Sequence, residues 1–212
     1  VGPYKPGTWV YNTAIKEHPY DPKLAAQLLQ EAGWVRNPKT GLLEKDGASF
    51  RFTILTNQGN TQRINVAVII QSMLKELGIE VRVRTVEWAA FIREFVDKGN
   101  FDAIILGWNI LADPDVFNVW HSSKAVSGGL NFTWFKNAEV DEILEEACST
   151  MDQARRKALY DRFQEILHEE QPYTFLYIPN ALSIVNARYQ GIEPAPAGLM
   201  YDFIHWWIAR NK

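Results

Sequence analysis

One cysteine, Cys148, stands among the 212 residues, so the chain can form no internal disulfide and no multi-cysteine metal site. Its place in a helical pattern reads as a small buried hydrophobe. There is no Lys/Arg cluster and the formal net charge is -3, which argues against the basic face of a nucleic-acid binder. Apolar stretches such as residues 103–108 fall far short of the roughly 20 residues that span a bilayer, so the chain is expected not to cross a membrane. Histidine is sparse, and His18, His121, His168 and His205 are scattered, which predicts surface or packing roles. The Gly-x-Ser-x-Gly elbow, the phosphate-cradling glycine loop and the His-Glu-x-x-His helix are all missing. Asp113 and Asp115 imitate a glycosidase pair, but carboxylates two residues apart in a turn are a common accident. The expectation is a protein that is not an enzyme, with no cofactor and no metal.

What is present is an ordinary globular balance, 47% hydrophobic and 22% charged, with room for one large domain or two small ones. Eight Trp exceed the usual needs of a small core, so a Trp-rich core and a set of flat stacking surfaces are both readings of them. The start Val1-Gly2-Pro3 and the aromatic end Ile204-His205-Trp206-Trp207-Ile208 suggest a piece of a longer protein.

Residues 1–20 read as an extended loop from their turn signals Gly2-Pro3, Pro6-Gly7 and His18-Pro19. Asp21-Pro22 then caps a helix over 23–32, stopped by Gly33. Residues 37–47 suggest a hairpin. The spacing next predicts strand 50–56, helix 61–77, strand 79–86, helix 88–98 and strand 101–108, two crossover units that imply parallel strands with helices packed on the sheet. Two more helices follow, 137–150 and 152–170, the second with a charged, solvated outer face. Residues 173–178 and 182–185 suggest a strand pair around Pro179-Asn180.

In an open parallel sheet, ligands sit outside the carboxyl ends of the strands. Those ends deliver Thr56-Asn57-Gln58, Glu87-Trp88 and Trp108-Asn109-Ile110 to one edge, a surface for holding a polar ligand by stacking and hydrogen bonds. The loop beyond carries Asp113-Pro114-Asp115, a turn and helix cap or else a carboxylate that meets a cationic or hydroxyl-bearing ligand. Further along come Trp120, in the run Trp120-His121-Ser122-Ser123, and a glycine-containing loop, 127–132, flexible enough to close over a ligand and carrying Asn131.

The run Tyr20-Asp21-Pro22-Lys23-Leu24-Ala25 through Leu28-Leu29-Gln30-Glu31-Ala32-Gly33-Trp34 resembles a segment of the bacterial family 5 solute-binding proteins, which serve ATP-driven importers of oligopeptides, dipeptides and nickel. Leu77-Gly78-Ile79-Glu80-Val81, Val86-Glu87-Trp88, Gly99-Asn100-Phe101-Asp102-Ala103, Gly107-Trp108, Asn137-Ala138-Glu139-Val140-Asp141 and Gln171-Pro172-Tyr173 follow in the same order and spacing. The resemblance implies an α/β, type II periplasmic-binding-protein-like lobe with a mixed, mostly parallel sheet flanked by helices. It implies an N-terminal segment 1–20 near the hinge, a ligand-binding lobe 21–190, and a segment 191–212 returning toward a missing N-terminal lobe.

By the same resemblance Trp88 and Trp108 match aromatic positions lining the cleft, and Asn109 borders it. Peptide-binding relatives place an Asp three residues after that Trp; here Leu111 stands instead, with Asp113 as the candidate replacement. The expected ligand set is Asn57, Glu87, Trp88, Trp108, Asn109, Asp113, Trp120 and Asn131. The implied role is capture of peptides or similar oligomers for an ABC permease, in a periplasmic or extracellular setting, free or lipid-anchored. An oligosaccharide receptor and a sensory or regulatory ligand-binding domain are the alternatives.

Overall fold

The computed structural model describes residues 2–109, 113–180, 182–193, 195 and 198–209, which form two units. The first comprises Glu17–Asn109 and Asn118–Ala138. Its helix α1 (Pro22–Glu31) starts where the Asp21 carboxylate accepts from the Lys23 and Leu24 N–H groups, with Pro22 at the first helical position. Three short antiparallel strands follow, β1 (Val35–Arg36), β2 (Leu43–Lys45) and β3 (Ala48–Ser49), in the order β1-β2-β3.

The central sheet holds β4 (Arg51–Asn57), β5 (Glu80–Val86) and β6 (Ala103–Ile104), in the order β5-β4-β6 and parallel throughout. Helix α2 (Thr61–Glu76) crosses from β4 to β5 and is capped by Asn60, whose side chain accepts from Arg63 N–H. Ala67 on α2 joins Leu43, Ile54, Ile79, Val81 and Ile105 in one apolar cluster, with Val66, Ile70 and Leu74 packed against it. Burying one such aliphatic side chain is worth about 1.5–3 kcal/mol, so this cluster is what holds helix to sheet.

Two elements of this unit differ from expectation. The helix predicted over 88–98 is a short α3 (Trp88–Ala90) that widens into a π-helix, Phe91–Val96. Asp97 and Asn100 N–H groups reach back five residues to Ile92 and Phe95 carbonyls, a local widening that hydrophobic spacing does not reveal. The strand predicted over 101–108 pairs for only two residues because side chains take over at both ends of its ladder. Asp102 Oδ2 accepts from Thr53 N–H at 2.9 Å, and Thr56 Oγ1 donates to the Ile105 carbonyl at 3.1 Å. The unit closes with the short helix α4 (Phe117–Trp120), from Asn118 onward, and the loop 121–137.

The second unit comprises Val1–Lys16, Ile110–Phe117 and Glu139–Lys212. Helices α5 (Ala138–Ser149) and α6 (Gln153–Glu170) bury Val140, Ile143, Leu144 and Ala147 from one, and Leu159, Tyr160, Phe163, Ile166 and Leu167 from the other. The N-terminal segment has no helix or strand among its described residues, yet it is anchored. Tyr4 is buried with its ring edge-on to Tyr160 and Phe163, and Gln164 accepts from Asn12 N–H while donating to the Val10 carbonyl. The expected solvated face of α6 carries the exposed pairs Arg155–Glu146 and Arg162–Glu139. Arg156 departs from it, lying over the Trp9 and Tyr160 rings.

The strand pair expected at 173–178 and 182–185 does not form: no ladder joins the described residues there, and Leu182 and Ile184 stand exposed. Alternating apolar residues make a strand only when a neighbour supplies the hydrogen bonds, and none does so among the described residues. The pairing in this region is instead β7 (Tyr189–Gln190) with β8 (Trp207–Ile208), antiparallel. Cys148, expected in the core, is exposed at the margin of the α5 apolar stripe. Partial burial and the Asp115 carboxylate push its thiol up to about 11, so it is not a thiolate at neutral pH. Among the described residues no helix is long and apolar enough to cross a membrane.

Candidate functional site

The parallel register pairs Asn57 with Val86, and Gln58 N–H extends the ladder to the Val86 carbonyl at 2.8 Å. Ile105 lies beside Thr56, so the chain that follows it leaves from the same edge. Topology thus brings Asn57, Glu87, Trp88, Trp108 and Asn109 to the carboxyl edge of one sheet, as the strand order predicts. Ile110 and Leu111, the latter standing where the resemblance leads one to expect an Asp, lie outside the described residues.

The two indoles on this edge are presented differently. Trp108 stacks on Phe132, with ring centroids 5.8 Å apart and planes 13° apart, while remaining 39% exposed. The ring is thus partly backed and partly exposed, as a stacking platform needs. Trp88 is 51% exposed and tilts against the buried Phe91. Asn109 is exposed, and its amide has no hydrogen-bond partner among the described residues.

Other expected contacts are committed elsewhere. Glu87 caps α3: its two carboxylate oxygens accept from Ala89 and Ala90 N–H, which hold the carboxyl below the usual glutamate range. Asn57 accepts from Arg63 through Oδ1 and donates to the Gln58 carbonyl through Nδ2. Trp120 is only 2% exposed, edge-on to Phe135. Asn131 is fully buried: Nδ2 faces the carbonyls of Trp120, His121 and Phe135, and Oδ1 accepts from Phe135 N–H. The structure therefore places these two inside, where they shape the loop carrying Phe132 beneath Trp108.

Asp113 belongs to the other unit. Its Oδ1 accepts from Asp115 N–H and from Arg156 Nη2 at 3.1 Å, the turn geometry joined to an ion pair. The Arg156 guanidinium holds its carboxyl below the ordinary aspartate value of 3.8. A depressed folded value adds stability above the unfolded value, and that increment is lost as pH falls through the folded one. Because Asp113 is mostly exposed, the increment is small. Thermal melts should show Asp113→Asn less stable than the parent at neutral pH, with the gap closing below pH 3.8; a constant gap down to pH 2 would show that the ion pair is not its source.

Sequence reasoning missed two residues of the first unit. Arg63, in the first turn of α2, donates from Nη1 to Asn57 Oδ1 at 2.9 Å, and its Nη2 lies where a Cβ on Gly107 would come within 3.2 Å. The available signal was a cation beside the positive end of a helix dipole, the unfavourable sign. Trp134 has φ +58 and is 47% exposed, with Nε1 so close to Gly99 that a Cβ there would lie 2.9 Å away. Nothing in the sequence marks a Trp for left-handed backbone. Among the described residues no group of three His, Cys, Asp or Glu side chains is placed to hold a metal.

Residues 1–129 match the family model for the middle region of bacterial extracellular solute-binding proteins, family 5. The oligopeptide-binding protein AppA of Bacillus subtilis is 37% identical over 211 residues, covering 98% of this chain and 39% of that protein. Its structure in complex with a nonapeptide superposes with a TM-score of 0.80 at 38% identity, over 99% of this chain and 42% of that one. NikZ of Campylobacter jejuni, solved with Ni(L-His), is similar at TM-score 0.72 and 29% identity, over 92% of this chain and 41% of that one. The chain thus spans about two fifths of the relatives it matches.

Proposed function

This chain belongs to family 5 of the bacterial extracellular solute-binding proteins, and from that premise we propose that it forms one ligand-binding lobe of a peptide receptor for an ABC importer. The whole protein captures peptides outside the cytoplasm between this lobe and a second one, then presents them to a permease. Segment 191–212 leads back toward that second lobe, and the exposed apolar side chains at Leu182, Ile184 and Ile204 await cover. The observation that carries the reading is the exposed, Phe132-stacked ring of Trp108 at the carboxyl edge of the parallel sheet, in a chain similar along its whole length to a nonapeptide-bound protein.

On this account the ligand lies across Trp108 and Trp88 and meets the free amide of Asn109. Extended peptides offer backbone groups to the amide and side chains to the rings. Glu87, Trp120 and Asn131 serve the site by fixing the α3 start and the loop under Trp108.

Calorimetric titration of the whole protein with a pool of random nonapeptides tests the proposal. Micromolar or tighter binding is expected, and Trp108→Ala should weaken it about tenfold, from lost stacking and lost burial together. Trp108→Phe should retain most of the affinity. An absence of peptide binding would remove the receptor reading, whereas binding indifferent to Trp108 would move the ligand off this edge.

A further inference from the structure

Two adjacent residues of the loop 121–137 break local rules, and both directly follow Phe132, the ring that backs Trp108. Trp134 takes a left-handed φ of +58, a conformation that disfavours any side chain with a Cβ and that glycine adopts freely. Its ring nonetheless stays 47% exposed, so full burial does not offset the strain. Thr133 keeps a buried hydroxyl with no hydrogen-bond partner among the described residues. Departures of this kind persist where the structure gains something other than stability. We infer that Trp134 is a positioning residue. Seated on Gly99, it clasps the loop to the helical stretch that begins at Trp88, and so fixes the two indoles of the carboxyl edge relative to each other. The inference rests on the peptide reading above.

The clasp grips one turn at two points. The Asp97 carbonyl accepts from Ser127 Oγ at 2.9 Å and from Gly128 N–H at 3.0 Å. Two residues on, Gly99 faces the Trp134 indole so closely that a Cβ there would lie 2.9 Å from Nε1, and Gly99 itself has a φ of +63. This turn follows the stretch 88–96, which Trp88 opens and whose buried Phe91 Trp88 tilts against. Between the two grips the loop carries Phe132 and the buried Asn131, whose amide ties it to Trp120, His121 and Phe135. Trp108 needs such support, because β6 stops at Ile104 and Trp108 joins no ladder among the described residues. Rings held in a fixed relation spare a ligand that touches both the loss of their freedom on binding.

Calorimetric titration of the whole protein with the random nonapeptide pool tests the clasp. Trp134→Gly relieves the left-handed strain, so its melting temperature should stay within about 3 °C of the parent while peptide binding weakens about fivefold. Trp134→Phe should retain most of the affinity. Gly99→Ala, which drives a methyl group against the indole nitrogen, should weaken binding as Trp134→Gly does. The readout that a purely structural role would not move is the dependence of one ring on the other. Trp88→Ala should weaken binding about fivefold in the parent, but about twofold at most in the Trp134→Gly protein, where the rings are no longer held together. If Trp134→Gly melts far below the parent, Trp134→Asn, which also tolerates left-handed backbone, takes its place. Parent-like affinity of the Trp134 variant overturns the inference and leaves the peptide reading standing. So does an undiminished effect of Trp88→Ala in that variant, or no effect of Trp88→Ala in the parent. If the pool does not bind the parent at all, the peptide reading itself fails and this inference fails with it.

Discussion

Asn131→Ala is expected to lower stability by about 3–4 kcal/mol, the largest effect of any single polar substitution described for this chain. The Asn131 amide is fully buried and is the common partner of three carbonyls and one N–H from Trp120, His121 and Phe135. Truncation removes the bonds to both main-chain groups of Phe135 and to the Trp120 carbonyl, while the His121 carbonyl keeps the Lys124 N–H, and each buried group that loses its match costs about 1–3 kcal/mol when no water can reach it. Asn131→Asp should be nearly as harmful, because it offers no donor to the carbonyls. Differential scanning calorimetry should record a fall of roughly 10 °C for either variant. A change under 2 °C would mean that the loop 121–137 is not held by this residue. Ligand binding should suffer too, since Phe132 follows directly and supports the Trp108 ring.

The 212-residue chain alone should bind peptide at least about 100-fold more weakly than the whole protein. Concave sites bury about 70–90% of a small ligand's surface, and a single lobe offers only one wall. Association costs several kcal/mol of lost translational and rotational freedom whichever wall is present. Losing roughly half the contacts therefore removes a large share of the net affinity. A 100-fold loss corresponds to about 2.7 kcal/mol. Side-by-side calorimetry with one nonapeptide pool checks this, and equal affinity would show that one lobe forms the entire site.

The backbone of the fold was legible because its punctuation is chemical. Asp21-Pro22 and Gly33 bracket α1, Asn60 and Gly78 bracket α2, and Asp152 starts α6, each by a hydrogen bond or a backbone angle that the residue type favours. Once those elements alternate, parallel strand order follows, and with it the common edge for Asn57, Trp88 and Trp108.

What escaped depends on neighbours distant in sequence. Trp108 and Trp120 are the same residue type, yet one stays 39% exposed and the other is buried against Phe135. Asn131 looked like a loop residue free to touch a ligand because a buried amide is recognised only from the carbonyls around it. The role of Trp134 required the position of its indole beside Gly99. The strand expected at 173–178 failed for the converse reason: the side-chain pattern is present, but no pairing joins it among the described residues.

Native mass spectrometry of the whole protein, purified gently without added ligand, addresses the central claim most directly. The account predicts bound species spaced by amino-acid residue masses, a ladder of peptides that disappears after unfolding and refolding. A single discrete non-peptide mass, such as a hexose-spaced oligomer or a metal complex, would contradict it.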